Sequence, residues 1–162
     1  MTTKQRNQRP ARQSLWAAVL IGSGIMAAID EIVFHQLLGW HHFYDRATPL
    51  IGLLSDGLLH AAELLAIVAG GFLLAELWRS EALAPRWAWA GFFLGAGGFQ
   101  LFDGLVNHKV LQLHQIRYGV VLLPYDLAWN IAGLLLLCIG SGLVLRAKAG
   151  MRHDELADTR QH

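Results

Sequence analysis

Four long apolar stretches fix most of what this 162-residue chain can become. They run from Leu15 to Trp40, Leu50 to Trp78, Trp87 to Leu113 and Val120 to Leu145. A helix needs roughly 20 predominantly apolar residues to cross the hydrocarbon core of a bilayer. Within lipid every backbone polar group must be bonded internally, which leaves helices or closed barrels. The stretches are rich in Leu, Ala and Gly and lack the alternation of strands, so helices are expected. Composition agrees: 54% of the residues are hydrophobic and 15% charged, against about 25% charged in soluble domains. The breaks read "YDRATP", "RSEALAPR" and "RYG", and Trp16, Trp40, Trp78, Trp87 and Trp89 fall near predicted ends, as an interfacial aromatic belt requires.

The expected fold is therefore an all-α membrane protein with four transmembrane helices. Residues 1–14 form a basic tail, 15–146 the membrane domain and 147–162 a polar tail, both tails expected to be mobile. Lys4, Arg6, Arg9, Arg12, Arg79, Arg86, Arg146, Lys148, Arg152 and Arg160 lie on one side; Arg46, Lys109 and Arg117 lie on the other. Positive charge stays inside, which predicts a multi-pass protein of the inner (plasma) membrane with both termini cytoplasmic. A net charge of +1 with no basic stripe gives no reason to expect nucleic acid as a partner. The lone Cys138 makes no internal disulfide and no C-x-x-C exists, so thiol redox chemistry is excluded.

The end of the first stretch reads "DEIVFHQLLGWHHF", and the end of the third "DGLVNHKVLQLHQI". Asp30, His35 and His41 thus recur as Asp103, His108 and His114, each with D-x4-H-x5-H spacing, and Gly22 and Gly24 recur as Gly95 and Gly97. Asp56-x3-His60 opens the second stretch and Asp126-x3-Asn130 the fourth. Such self-similarity predicts two parallel helical-hairpin repeats, 15–78 and 87–146. It also argues that the first stretch is retained, because a cleaved signal peptide would have no internal twin. The glycines suit close helix packing. "GAGG" follows no strand and completes no dinucleotide fingerprint.

Counted at about 1.5 Å per residue, these polar positions fall in one slab toward the outer face. Helical periodicity places Glu31, His35 and His42 near one stripe and Asp56, His60 and Glu63 on another. It gives Asp30 and His41 a shared stripe if the helix continues that far. An ionised group at the bilayer centre costs about 2.5–3.5 kcal/mol on the insertion scale, so such groups face the protein interior and pair. Imidazole with carboxylate suits a transition metal, Zn or Fe. The expected ligands are His35, His60, His108, Asp30, Asp56, Asp103 and Asp126. His41, His42, His114, Glu31, Asn130, Arg117 and Tyr125 are secondary candidates. A b-type haem between two histidines or a quinol redox site is one alternative. A proton or ion path, or an assembly factor in a homo-oligomer or larger membrane complex, is another. No motif fixes a reaction.

"DEIVFHQLLGWHH", "DGLLH", "FDGLVNHKVLQLHQIR" and "YDLAWN" resemble a family of bacterial predicted membrane proteins of unknown function, four helices long. The family pattern has D-G-x-x-x-H-Q-x-L-x-W-H-H in the first helix and D-G-x-x-x-H-K-x-L-x-x-H-Q in the third. The likeness spans about residues 15–146 and implies a four-helix membrane fold without an assigned activity. Glu31 and Gly39 depart from it, where the family has glycine and glutamine.

Overall fold

The computed structural model describes the backbone of residues 3–159 and the side chains of residues 9–153. Lys4, Arg6 and Arg160, counted in the charge bias, have side chains outside these described residues. Helix α1 (Thr3–Asp30) passes into a π-helical segment, Glu31–Leu37; α2 is Pro49–Arg79; α3 (Pro85–Phe102) passes into a second π segment, Asp103–Val110; and α4 is Leu123–Thr159. No strand occurs among the described residues. The tails continue the helices instead of leaving them: α1 starts at Thr3 and α4 ends at Thr159. Proline occupies the first turn of both α2 and α3, where its missing N–H costs nothing.

The helices lie in the spatial order α2, α1, α3, α4. α1 packs on α2 and α3, α3 packs on α1 and α4, and α2 does not meet α4. Glycine makes the central crossing possible. A Cβ on Gly91 would stand 2.1 Å from the Leu15 carbonyl oxygen, and one on Gly95 2.2 Å from that of Val19. In return, a Cβ on Gly22 would stand 2.0 Å from the Phe92 oxygen. Gly24 lies against Glu63 and Ile67 of α2, as Gly97 lies against Gly133 and Leu137 of α4.

The interior is unusual for a protein in water. Its buried apolar side chains are mostly alanines, while Leu50, Leu54, Leu58, Phe72, Leu127, Ile131 and Leu135 are exposed. Acids and imidazoles are buried instead. Large side chains outward and polar groups inward suit hydrocarbon as the solvent, since lipid tails give no drive to hide leucine.

Three helices are long and apolar enough to cross a membrane: Arg9–Leu37, Pro49–Arg79 and Leu123–His153. The third expected span is helical from Pro85 to Val110 but falls short of that apolarity. It carries Arg86, Gln100 and five glycines between Gly91 and Gly104 among its apolar residues.

Both π segments end alike. Leu38 N–H bonds the Val33 carbonyl at 2.9 Å and Leu111 N–H the Val106 carbonyl at 2.7 Å. Gly39 (φ 57°) and Gln112 (φ 50°) then take left-handed backbone and turn the chain back. Glycine suits that conformation, which gives a reason for Gly39. The first helix therefore does not continue to His41, and the expected Asp30–His41 stripe does not exist; His41 reaches the interior from an irregular segment.

Candidate metal centre

The D-x4-H spacing acquires its meaning in the π segments. A π-helix bonds residue i to i+5, which brings Asp30 beneath His35 and Asp103 beneath His108. The His35 Nε2–Asp30 Oδ2 distance is 3.8 Å, and His108 Nε2–Asp103 Oδ2 is 3.1 Å. Gln36 and Glu31, also five apart, share a 2.7 Å hydrogen bond.

His41 and His114 follow the two left-handed turns. His41 Nδ1–H donates to the Ile116 carbonyl at 3.0 Å, and His114 Nδ1–H donates to that of Phe43 at 2.8 Å. Each imidazole is thus held by the loop of the other half. A carbonyl only accepts, so both rings carry the proton on Nδ1 and leave Nε2 as a bare lone pair. His35 is oriented by acids: its Nδ1 lies 2.7 Å from Glu31 Oε2 and 3.2 Å from Asp56 Oδ1.

The Nε2 atoms of His35, His41 and His114 and the Nδ1 atom of His108 are buried without a hydrogen-bond partner, and His108 Nε2 faces the Asp103 carboxylate. The four rings pack together: His35–His41 centroids are 4.4 Å apart, His41–His114 4.5 Å and His108–His114 4.6 Å. Ligand atoms of His35, His41 and His114 fall within 4.8 Å of one another, as do those of Asp103, His108 and His114, and those of Glu31, His35 and Asp56. Buried polar atoms are almost always paired, and these nitrogens are an exception. Histidines that bind metal donate their other N–H to a carbonyl or carboxylate; His35, His41 and His114 do so and His108 does not, and these groups could hold a metal ion.

Electrostatics outside the membrane-crossing segments fit this arrangement. Burial, reinforced by the neighbouring imidazoles, pushes His41 far below the usual histidine range. Burial also brings His114 down to about 4. Both rings are therefore neutral near pH 7, the form that binds metal. His42, hydrogen-bonded to Asp56 Oδ2 at 2.6 Å and partly exposed, is shifted upward by that contact.

The other expected residues sit elsewhere. His60 has a side chain 49% exposed and pairs with Glu63 at 2.5 Å, away from the four imidazoles. Asp126 pairs with Lys109 at 2.5 Å, and Asn130 Nδ2 donates to the Asp126 carbonyl. Among the described residues, none from α4 joins any of the three ligand groups. Arg117 lies over the Trp40 ring at 4.7 Å and donates to the Tyr125 hydroxyl at 2.8 Å, forming a rim contact. Asp56 serves three donors: His35, His42 and the Phe43 N–H at 2.7 Å. The prominence of His41 and His114 over His60 is where sequence reasoning fell short. The five-residue D-x4-H spacing is the available signal, and a 3.6-residue period misses it.

A family model described as "Predicted membrane protein (DUF2243)" matches residues 17–147. Comparison with curated proteins and with solved structures returned no match.

Proposed function

The chain belongs to the DUF2243 family of predicted membrane proteins, and from that premise we propose that it is a multi-pass membrane metalloprotein. Its centre is built by His35, His41, His108 and His114 with Asp103 and Asp30. The observation that carries this reading is the convergence of four buried imidazoles, each with a ring nitrogen that has no hydrogen-bond partner. Neutral imidazole and carboxylate suit Zn or Fe. Ring-to-ring spacings of 4.4–4.6 Å suit an ion better than a macrocycle. Glu31 and Asp56 orient His35, and the Ile116 and Phe43 carbonyls orient His41 and His114.

The architecture that goes with it is two parallel helical-hairpin repeats with α3 as a fourth crossing helix and both termini cytoplasmic. Support comes from the paired contacts: Gly22 on α3 with Gly95 on α1, Gly24 on α2 with Gly97 on α4, and His41 to Ile116 with His114 to Phe43. The excess of Lys and Arg at the termini and in residues 79–86 supports the orientation.

Elemental analysis with an absorption spectrum of the tag-free protein in detergent tests the reading. Bound Zn or Fe, lost in His41→Ala and His114→Ala while helicity is kept, is the expected result. A protein that arrives without metal and takes up neither ion would overturn it.

A further inference from the structure

We propose that the centre holds two divalent first-row ions, one bound by His35 and His41 with Asp30 and the other by His108 and His114 with Asp103. The inference rests on the metal reading above and adds the number of ions and the division of ligands.

Each of the four buried imidazoles has a ring nitrogen without a hydrogen-bond partner. A four-coordinate ion with one position open uses three protein ligands. If His35, His41 and His114 bound a lone ion, His108 would remain buried with Nδ1 unpartnered and Nε2 against Asp103 alone. A buried polar atom left unpaired forfeits its solvation without compensation. The groups His35–His41–His114 and Asp103–His108–His114 share His114, whose single free nitrogen serves one ion. Pairing nearest rings, His35 with His41 at 4.4 Å and His108 with His114 at 4.6 Å, uses each imidazole once and gives every D-x4-H-x5-H segment its own ion, with Asp30 entering through its 3.8 Å approach to His35.

Charge supplies the second argument. Asp30, Glu31, Asp56 and Asp103 are each at most 3% exposed. Among the described residues the Lys and Arg ion pairs are Arg79–Glu76 and Lys109–Asp126, so none serves these acids. Glu63 has His60, and His42 at the rim assists Asp56 alone. One divalent ion offsets two of the four carboxylates; a second offsets the others. Uncompensated carboxylates within a bilayer are expensive.

The halves are not equal. Glu31 and Asp56 stand behind His35, whereas glycine occupies position 104 and Asp126 is taken by Lys109. The ion at His35 and His41 therefore meets more negative charge and binds more tightly.

Titrating the metal-stripped, tag-free full chain in detergent with Co(II) alone, followed by gel filtration and elemental analysis, tests this. Two cobalt ions per chain are expected, falling to one in His108→Ala and in the milder His108→Gln, with helicity by circular dichroism as the folding control. One ion per wild-type chain overturns the pair and leaves the metal reading intact. No ion overturns both. An unchanged count in either folded His108 variant also overturns the pair.

Discussion

His41 and His114 stack face to face, centroids 4.5 Å apart and planes 7° from parallel, each pinned by a carbonyl of the opposite half. The two loops are thereby tied to each other through the groups that face the centre. A change in either loop carbonyl's position alters an imidazole belonging to the other half. The Asp45 N–H to Leu113 carbonyl bond at 3.1 Å and the Arg46–Gln112 contacts reinforce the same junction.

Asp56 holds His35 and His42 without belonging to the imidazole cluster. Asp56→Asn keeps the shape and removes the charge. Loss of such an orienting carboxylate typically lowers metal affinity about 10–100-fold. Chelator-competition titration should show that drop with an unchanged circular dichroism spectrum.

Acid should weaken the metal-free fold. His114 is neutral when folded down to about 4 and His41 further still, whereas an unfolded histidine takes its proton near 6.5. Between about pH 6.5 and 4 the unfolded chain binds more protons, so stability falls as pH falls through that window and is level above it. His42 acts in the opposite sense, favouring the fold while protonated and losing that share as pH rises, but it is partly exposed and screened. Thermal unfolding of the stripped protein in detergent at pH 7.5, 6, 5 and 4 should give a decreasing Tm. A flat or rising profile on acidification would count against neutral buried rings.

Gly91 and Gly98 lie on the same helix but face differently. A Cβ on Gly91 meets the Leu15 backbone at 2.1 Å, while one on Gly98 meets nothing within 4 Å. Gly91→Ala should destabilise by about 1–3 kcal/mol, the usual cost of overpacking. Gly98→Ala should be neutral or slightly stabilising. Unfolding midpoints in SDS titrations would separate them, and equal midpoints would contradict the close α1–α3 crossing.

Gly39 has open space around it but a φ of 57°. Left-handed backbone costs a non-glycine residue roughly 1–2 kcal/mol. Gly39→Val should therefore lower stability and, by displacing His41 two residues later, reduce bound metal. Quantifying both in one preparation distinguishes local strain from a packing defect.

Asp126 and Lys109 form their own pair outside the ligand groups. Asp126→Asn should leave metal content unchanged within error. A loss of metal equal to that of His114→Ala would bring α4 into the site.

Much of the candidate site was legible because acids and imidazoles stand out against apolar sequence: Asp30, His35, Asp56, Asp103 and His108 were expected inside and are buried. Ranking was harder. Asp56 and Asp126 occupy matching positions in the sequence, yet one meets three donors and the other a lysine. His60 shares a helical stripe with Asp56 and still turns toward Glu63. Whether a polar group has a nearer partner is a property of neighbours, and periodicity carries no information about it.

The sequence by itself determined that the chain is helical and suited to lipid, where the helices break, and which two segments repeat the acids and imidazoles. Hydrocarbon allows few backbone solutions, and long apolar runs declare themselves locally. Only the tertiary structure decided that α2 and α4 never touch, that α3 is enclosed by its neighbours, and that His41 and His114 enter the centre from turns. Those outcomes depend on a five-residue helical bond pattern, two left-handed residues and glycine-close crossings, whose energies arise from contacts between segments far apart in the chain.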